Sequence, residues 1–225
     1  MSDDLLARRL GELKALEDSL LDLALGCMQA YGGALYPMDL LANGASNRTI
    51  AQSTCFRRMI EERNMICAGS LLRLQVDTAL RFYAAYISEN PHAFAHEVLK
   101  GTRVDKLKDR DGKLMRDAYL VERLAEAEGL EWLARVYRET SGYIHLSSKH
   151  LFCSFTAVDV ESRTMQLQVS ASHDHLPEAI YVEAVDAFLA TTKLYMKYLH
   201  GWGVTKQNPE EVARMRADEK PSNNP

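Results

Sequence analysis

The segment "YRETSGYIHLSSKH", from Tyr137 to His150, gathers side chains suited to chemistry on a phosphate. Arginine is charged at any cellular pH and grips phosphate oxygens through a planar fork of donors. Histidine exchanges a proton near neutrality. Arg138 and His145 stand with six residues between them, and Ser141 and Tyr143 offer hydroxyl donors in the interval. Such a set can cleave an RNA strand through the strand's own 2′-hydroxyl. The imidazole takes the hydroxyl proton and the guanidinium holds the crowded phosphate, with no metal or other cofactor required. Two other readings stand beside this one: a hydrogen-bonding network across a bundle or dimer seam, and ligand binding without catalysis.

One amphipathic helix over residues 130–147 would position these groups. At 100° per residue, Glu131, Arg135, Gly142, His145 and Lys149 fall within about 60° of Arg138. Trp132, Leu133, Val136, Tyr137 and Ile144 lie on the opposite arc. Arg138 and His145 are then two turns apart on one stripe. A helical glycine costs roughly 1 kcal/mol against alanine, a cost offset where another backbone or a ligand approaches Gly142.

The remaining elements read as helices. Leu6, Leu10, Leu13, Leu16, Leu20, Leu23 and Cys27 recur at three- and four-residue steps, predicting a helix over 3–31. Pro37 and Asn43-Gly44 signal turns. A long helix follows over about 49–88, with a break expected near Cys67-Ala68-Gly69, and Asn90-Pro91 stops it and opens a short helix. "KGTRVDKLKDRDGK" carries six basic and three acidic residues and reads as a solvated connector. Helices follow over 114–126 and, after Gly129, in the motif segment. The period then shifts to two in "HLFCSFTAV" and "TMQLQVSA", predicting a β-hairpin, and Pro177 opens a last helix to about Trp202. The fold class is all-α: an antiparallel helical bundle with a short hairpin inserted after the motif helix. Residues 1–47 form an N-terminal helix and connector. Residues 48–202 form the bundle, with the hairpin near 150–171, and residues 203–225 a polar, flexible tail.

Composition narrows the classes. Hydrophobic residues are 47% and charged residues 26% of 225, and the net charge is −4, so any nucleic-acid contact is local or built by a dimer groove. Cys27, Cys55, Cys67 and Cys153 form no Cys-x-x-Cys pair. With no secretory leader and no apolar run of membrane-spanning length, the expectation is a cytoplasmic protein with reduced thiols and no membrane contact. His173 with His175, and His92 with His96, have two-ligand spacing, but no third ligand is evident beside either pair, so no metal site is assigned.

An arginine followed after four to six residues by a histidine, late in a helical bundle, resembles the motif of HEPN domains. The wider pattern Y-R-x-x-S-x-x-I-H-x-S, Tyr137 to Ser147, is similar to a poorly characterised bacterial branch of HEPN-like proteins. "AGSLLRLQVDTALRFYAAYI", with Arg73, resembles the long helix that packs beside the motif helix in that branch. The resemblance spans roughly residues 49–202. It implies a homodimer with both motifs facing one cleft. It also implies a metal-independent endoribonuclease in bacterial defence or toxin systems, with RNA as substrate and an antitoxin or defence protein as partner. His145 would then be the general base or acid and Arg138 the phosphate clamp, with Ser141, Tyr143, Tyr137 and Arg73 in support. Other members keep the fold and act only as interaction or scaffold modules, which is the alternative function.

Overall fold

The computed structural model describes residues 2–210. In chain order its helices are α1 (Ser2–Gln29), α2 (Pro37–Glu61), α3 (Met65–Ile87), α4 (Pro91–Leu99), α5 (Asp117–Glu128), α6 (Glu131–Ser141), α7 (Ser148–Ser154) and α8 (Glu178–Gln207). The antiparallel strands β1 (Phe155–Asp159) and β2 (Thr164–Leu167) lie between α7 and α8. The result is a helical bundle with one hairpin. Among the described residues no helix is long and apolar enough to cross a membrane.

Helix α3 is apolar on almost every side, so it occupies the middle. Fifteen of its 23 residues are buried, and it packs against α2, α4, α5, α6, α7 and α8. Helix α1 lies along α8 and α2. One core surrounds the N-terminal half of α3, where Phe56 and Phe188 stack with ring centroids 4.3 Å apart. The other surrounds its C-terminal half, with Leu80, Phe82, Leu120, Tyr195 and Leu199.

Two helix boundaries differ from the sequence reading. The turn expected at Asn43-Gly44 is absent, because both residues lie on the exposed side of α2 while Met38, Ala42, Phe56 and Ile60 bury its other face. That burial outweighs the roughly 1 kcal/mol a helical glycine costs. The break expected near Cys67-Ala68-Gly69 falls instead at Glu62–Asn64. There the N–H groups of Arg63 and Asn64 close on Ile60 O and Met59 O, with Arg63 left-handed at φ 55°. This is the closure a glycine usually makes. Arg63 takes the place, and its guanidinium lies 4.8 Å from the Tyr181 ring centroid.

The last helix outruns expectation. α8 continues through Gly203 to Gln207, because Lys206 has a buried partner. Lys206 Nζ lies 3.1 Å from Asp39 Oδ2 and donates to Cys27 O and Met28 O at 3.0 and 3.2 Å. Asp39 in turn accepts from Tyr36 N at the start of α2 and from Trp202 Nε1. The ends of α1, α2 and α8 meet at this pair. Residues 211–225, the rest of the expected tail, lie outside the described residues.

Removing one member of such a pair strands the other in the core. Lys206→Met is expected to lower the unfolding free energy by about 3–5 kcal/mol in urea titrations, and by less when Asp39→Asn is added.

Candidate functional site

Gly129, left-handed at φ 64°, ends α5 and lets α6 begin two residues later. α6 stops at Ser141, whereas the sequence predicts helix as far as Ser147. Hydroxyls of its last turn fold back on the helix: Thr140 Oγ1 donates to Val136 O at 2.6 Å and Ser141 Oγ to Tyr137 O at 2.7 Å. The N–H groups of Tyr143 and Ile144 then tighten the end onto Thr140 O and Ser141 O. Ser147 restarts the helix. Its hydroxyl donates to Gly142 O at 2.6 Å and accepts from Lys149 N, and its own N–H donates to His150 Nδ1 at 3.2 Å.

Arg138 therefore sits in the last turn of α6, and His145 in the bend between α6 and α7. They do not share a helical stripe. Both side chains are exposed, and neither makes a hydrogen bond or ion pair among the described residues. The crowding anticipated at Gly142 comes from the chain itself. A Cβ there would meet Lys149 Cγ at 3.0 Å and Ser147 Oγ at 3.2 Å. Lys149 is drawn to this spot by an ion pair with Glu139, which holds that carboxyl below its ordinary range.

The supporting residues converge elsewhere, at the seam of α3 and α6. Arg73 is buried, with its guanidinium 4.1 Å from the Tyr137 ring centroid. Its Nε donates to Ser141 Oγ at 3.3 Å, Nη1 pairs with Asp77 and Nη2 lies 3.7 Å from Asp117. The Tyr143 ring lies where a side chain on Gly69 would be, and burial pushes its hydroxyl up to about 12. Ser70 Oγ donates to Tyr143 O at 2.9 Å. Arg73, Tyr137, Ser141 and Tyr143 thus form a packing contact, while Arg138 and His145 stand in solvent. Asp77 was legible four residues from Arg73 on one helical face. Asp117 carried no local signal, since it reaches Arg73 only through the tertiary fold.

Three of the four paired histidines pack into the fold. His173 is buried, and its Nδ1 accepts the Met65 N–H at 3.2 Å, satisfying an otherwise open donor at the start of α3. His175 Nδ1 meets Gln168 Nε2 at 3.2 Å. His92 packs between the Tyr36 and Trp202 rings, and His96 is exposed. Among the described residues, no group of three or more His, Cys, Asp or Glu could hold a metal ion. No family model, curated protein or solved structure matches this chain.

Two outcomes follow from this geometry. Gly69→Ala is expected to cost about 2 kcal/mol in chemical denaturation, because a ring fixed against the helix has to move. Burial holds the pKa of His173 below its ordinary value, so the neutral form is favoured in the fold. Its contribution to stability is complete above the unfolded value of about 6.5 and is lost as pH falls through the depressed folded value. The urea midpoint is expected to drop across that window, and His173→Gln, which keeps an acceptor without titrating there, to remove that share of the slope.

Proposed function

We propose that this chain is a cytoplasmic, HEPN-like interaction module that pairs with a second copy through the segment following α6, with Arg138 and His145 beside the seam. The hairpin carries this reading. Every residue of β2 and the last three of β1 are exposed, so neither face of the hairpin is covered by a layer. Leu146, Phe152, Val160, Leu167 and Val169 are all more than 60% exposed within this one stretch of chain. A lone two-stranded hairpin is marginal in water, and its open edges are ready to pair with another strand. Soluble monomers rarely leave so apolar a surface bare. A two-fold interface uses the same patch on both copies, and so would bring both Arg138/His145 regions to one side.

A second reading is favoured by Arg138 itself: a metal-independent endoribonuclease of bacterial defence or toxin type, acting on RNA across that seam and held in check by an antitoxin or defence partner. Of the three cations between Arg135 and Lys149, Arg135 lies 3.5 Å from Glu183 and Lys149 is paired with Glu139. Arg138 alone has no ion pair among the described residues, which leaves its guanidinium available to a phosphate.

Sedimentation velocity separates the outcomes. The parent chain is expected to sediment as a dimer at tens of micromolar, and Leu146→Glu with Phe152→Glu as a monomer of unchanged helix content. A monomeric parent rejects the pairing. The module reading also expects labelled RNA to stay intact in chelator. Chelator-resistant cleavage abolished by both Arg138→Ala and His145→Ala would move the assignment to the nuclease.

A further inference from the structure

Helix α3 ends beside a cavity of about 410 Å³ walled by aromatic rings. Phe82 and Tyr86 come from its last turns, His92 from the first turn of α4, and Tyr198 and Trp202 from α8. The Tyr86 and Tyr198 ring centroids are 5.2 Å apart, and those of His92 and Trp202 5.3 Å. The polar atoms of two of these rings are committed elsewhere: Trp202 Nε1 donates to Asp39 at 2.9 Å, and the Tyr198 hydroxyl donates to Glu128 at 2.7 Å. What those rings offer a ligand is aromatic carbon surface, held in place by the hydrogen bonds.

The charge that the described residues bring to the cavity lining has one sign. Among the described residues, Glu89 is the only Asp, Glu, Lys or Arg in the lining, and it is exposed and makes no ion pair. The start of α4 could have attracted an anion, but Asn90 Oδ1 already accepts the N–H groups of His92 and Ala93, each at 3.0 Å. An anion would therefore meet aromatic rings and a carboxylate. A cation would meet ring quadrupoles and a counter-charge, the arrangement that recognises alkylammonium groups.

We propose that this cavity binds a small organic cation, with an alkylammonium group held against Tyr86, Tyr198 and Trp202 and balanced by Glu89. The site is independent of the surface that carries Arg138. Tyr86 lies 17 residues along α3 from Gly69, where Tyr143 packs, which is about 25 Å at 1.5 Å per residue.

Choline and its neutral isostere 3,3-dimethylbutan-1-ol differ by one charge at constant shape, and serve as probes. Each is titrated into the full chain at pH 8 by calorimetry, while nitrogen-15 NMR follows the Trp202 indole N–H. Choline is expected to bind saturably, to shift that resonance, and to bind roughly tenfold tighter than the isostere. Glu89→Gln is expected to weaken choline by about fivefold and leave the isostere unchanged, and Tyr86→Leu to reduce the preference for the cation. Equal binding of the two probes, failure of choline to bind, an unmoved Trp202 resonance, or full choline affinity in Glu89→Gln would each overturn the proposal.

Discussion

The guanidinium of Arg73 determines where α6 stops, and much of the exposed chemistry of the chain follows from that. Arg73 emerges from the most buried helix and is itself buried, so its charge has to be met from several sides at once. Asp77 and Asp117 meet it with carboxylates, Tyr137 with a ring face and Ser141 with a hydroxyl. Two of those four partners lie in the last two turns of α6, so the end of that helix is tied to α3. Beyond it, Tyr143 turns back against Gly69, and the chain between Gly142 and Ser147 is committed to a bend. Arg138 and His145 face solvent as a consequence, and the chain is free to leave the bundle as α7 and the hairpin.

Polar clamps also hold α8 at both ends. At its start, the Tyr181 hydroxyl donates to Arg63 O and His173 O, which joins the α2–α3 turn to the segment before α8. At its far end lies the Asp39–Lys206 pair. Between the clamps Val185, Phe188, Leu189, Tyr195 and Leu199 are buried, and the Tyr195 hydroxyl meets Ser46 Oγ at 2.7 Å. Such pairs add less to net stability than an apolar core of equal volume would, but they are unforgiving of misplacement. They set the register of α8 against α1 and α2. The contrast with residues 144–169 is sharp: that segment has few buried side chains and no comparable clamp, which marks it as the part of the described fold that opens most readily.

The sequence made the helical class legible, together with the hairpin, the courses of α1 and α4 and the start of α8, because periodicity and the Asn90-Pro91 and Pro177 signals act locally. The pairing of Arg73 with Asp77 was legible for the same reason. What escaped was decided at a distance. Glycine misled twice: Gly44 sits harmlessly on a solvent face, and Gly69 serves a ring 74 residues away rather than a break. Arg63 adopts a left-handed conformation with no glycine to announce it. Within the candidate site, all the residue types were visible in one segment, but their separation into an interior contact and an exposed pair was not. That division depends on Ser141 and Tyr143 finding partners on α3, and a single helical wheel drawn through Ser147 conceals it.

The claim that residues 144–169 are covered by a second copy is tested most directly by hydrogen–deuterium exchange followed over a dilution series. Amides of β1, β2 and the adjoining turns should exchange slowly at high protein concentration and quicken as the chain is diluted, while α3 and α8 stay protected throughout. Rapid exchange of the hairpin at every concentration would contradict the account and leave this surface bare.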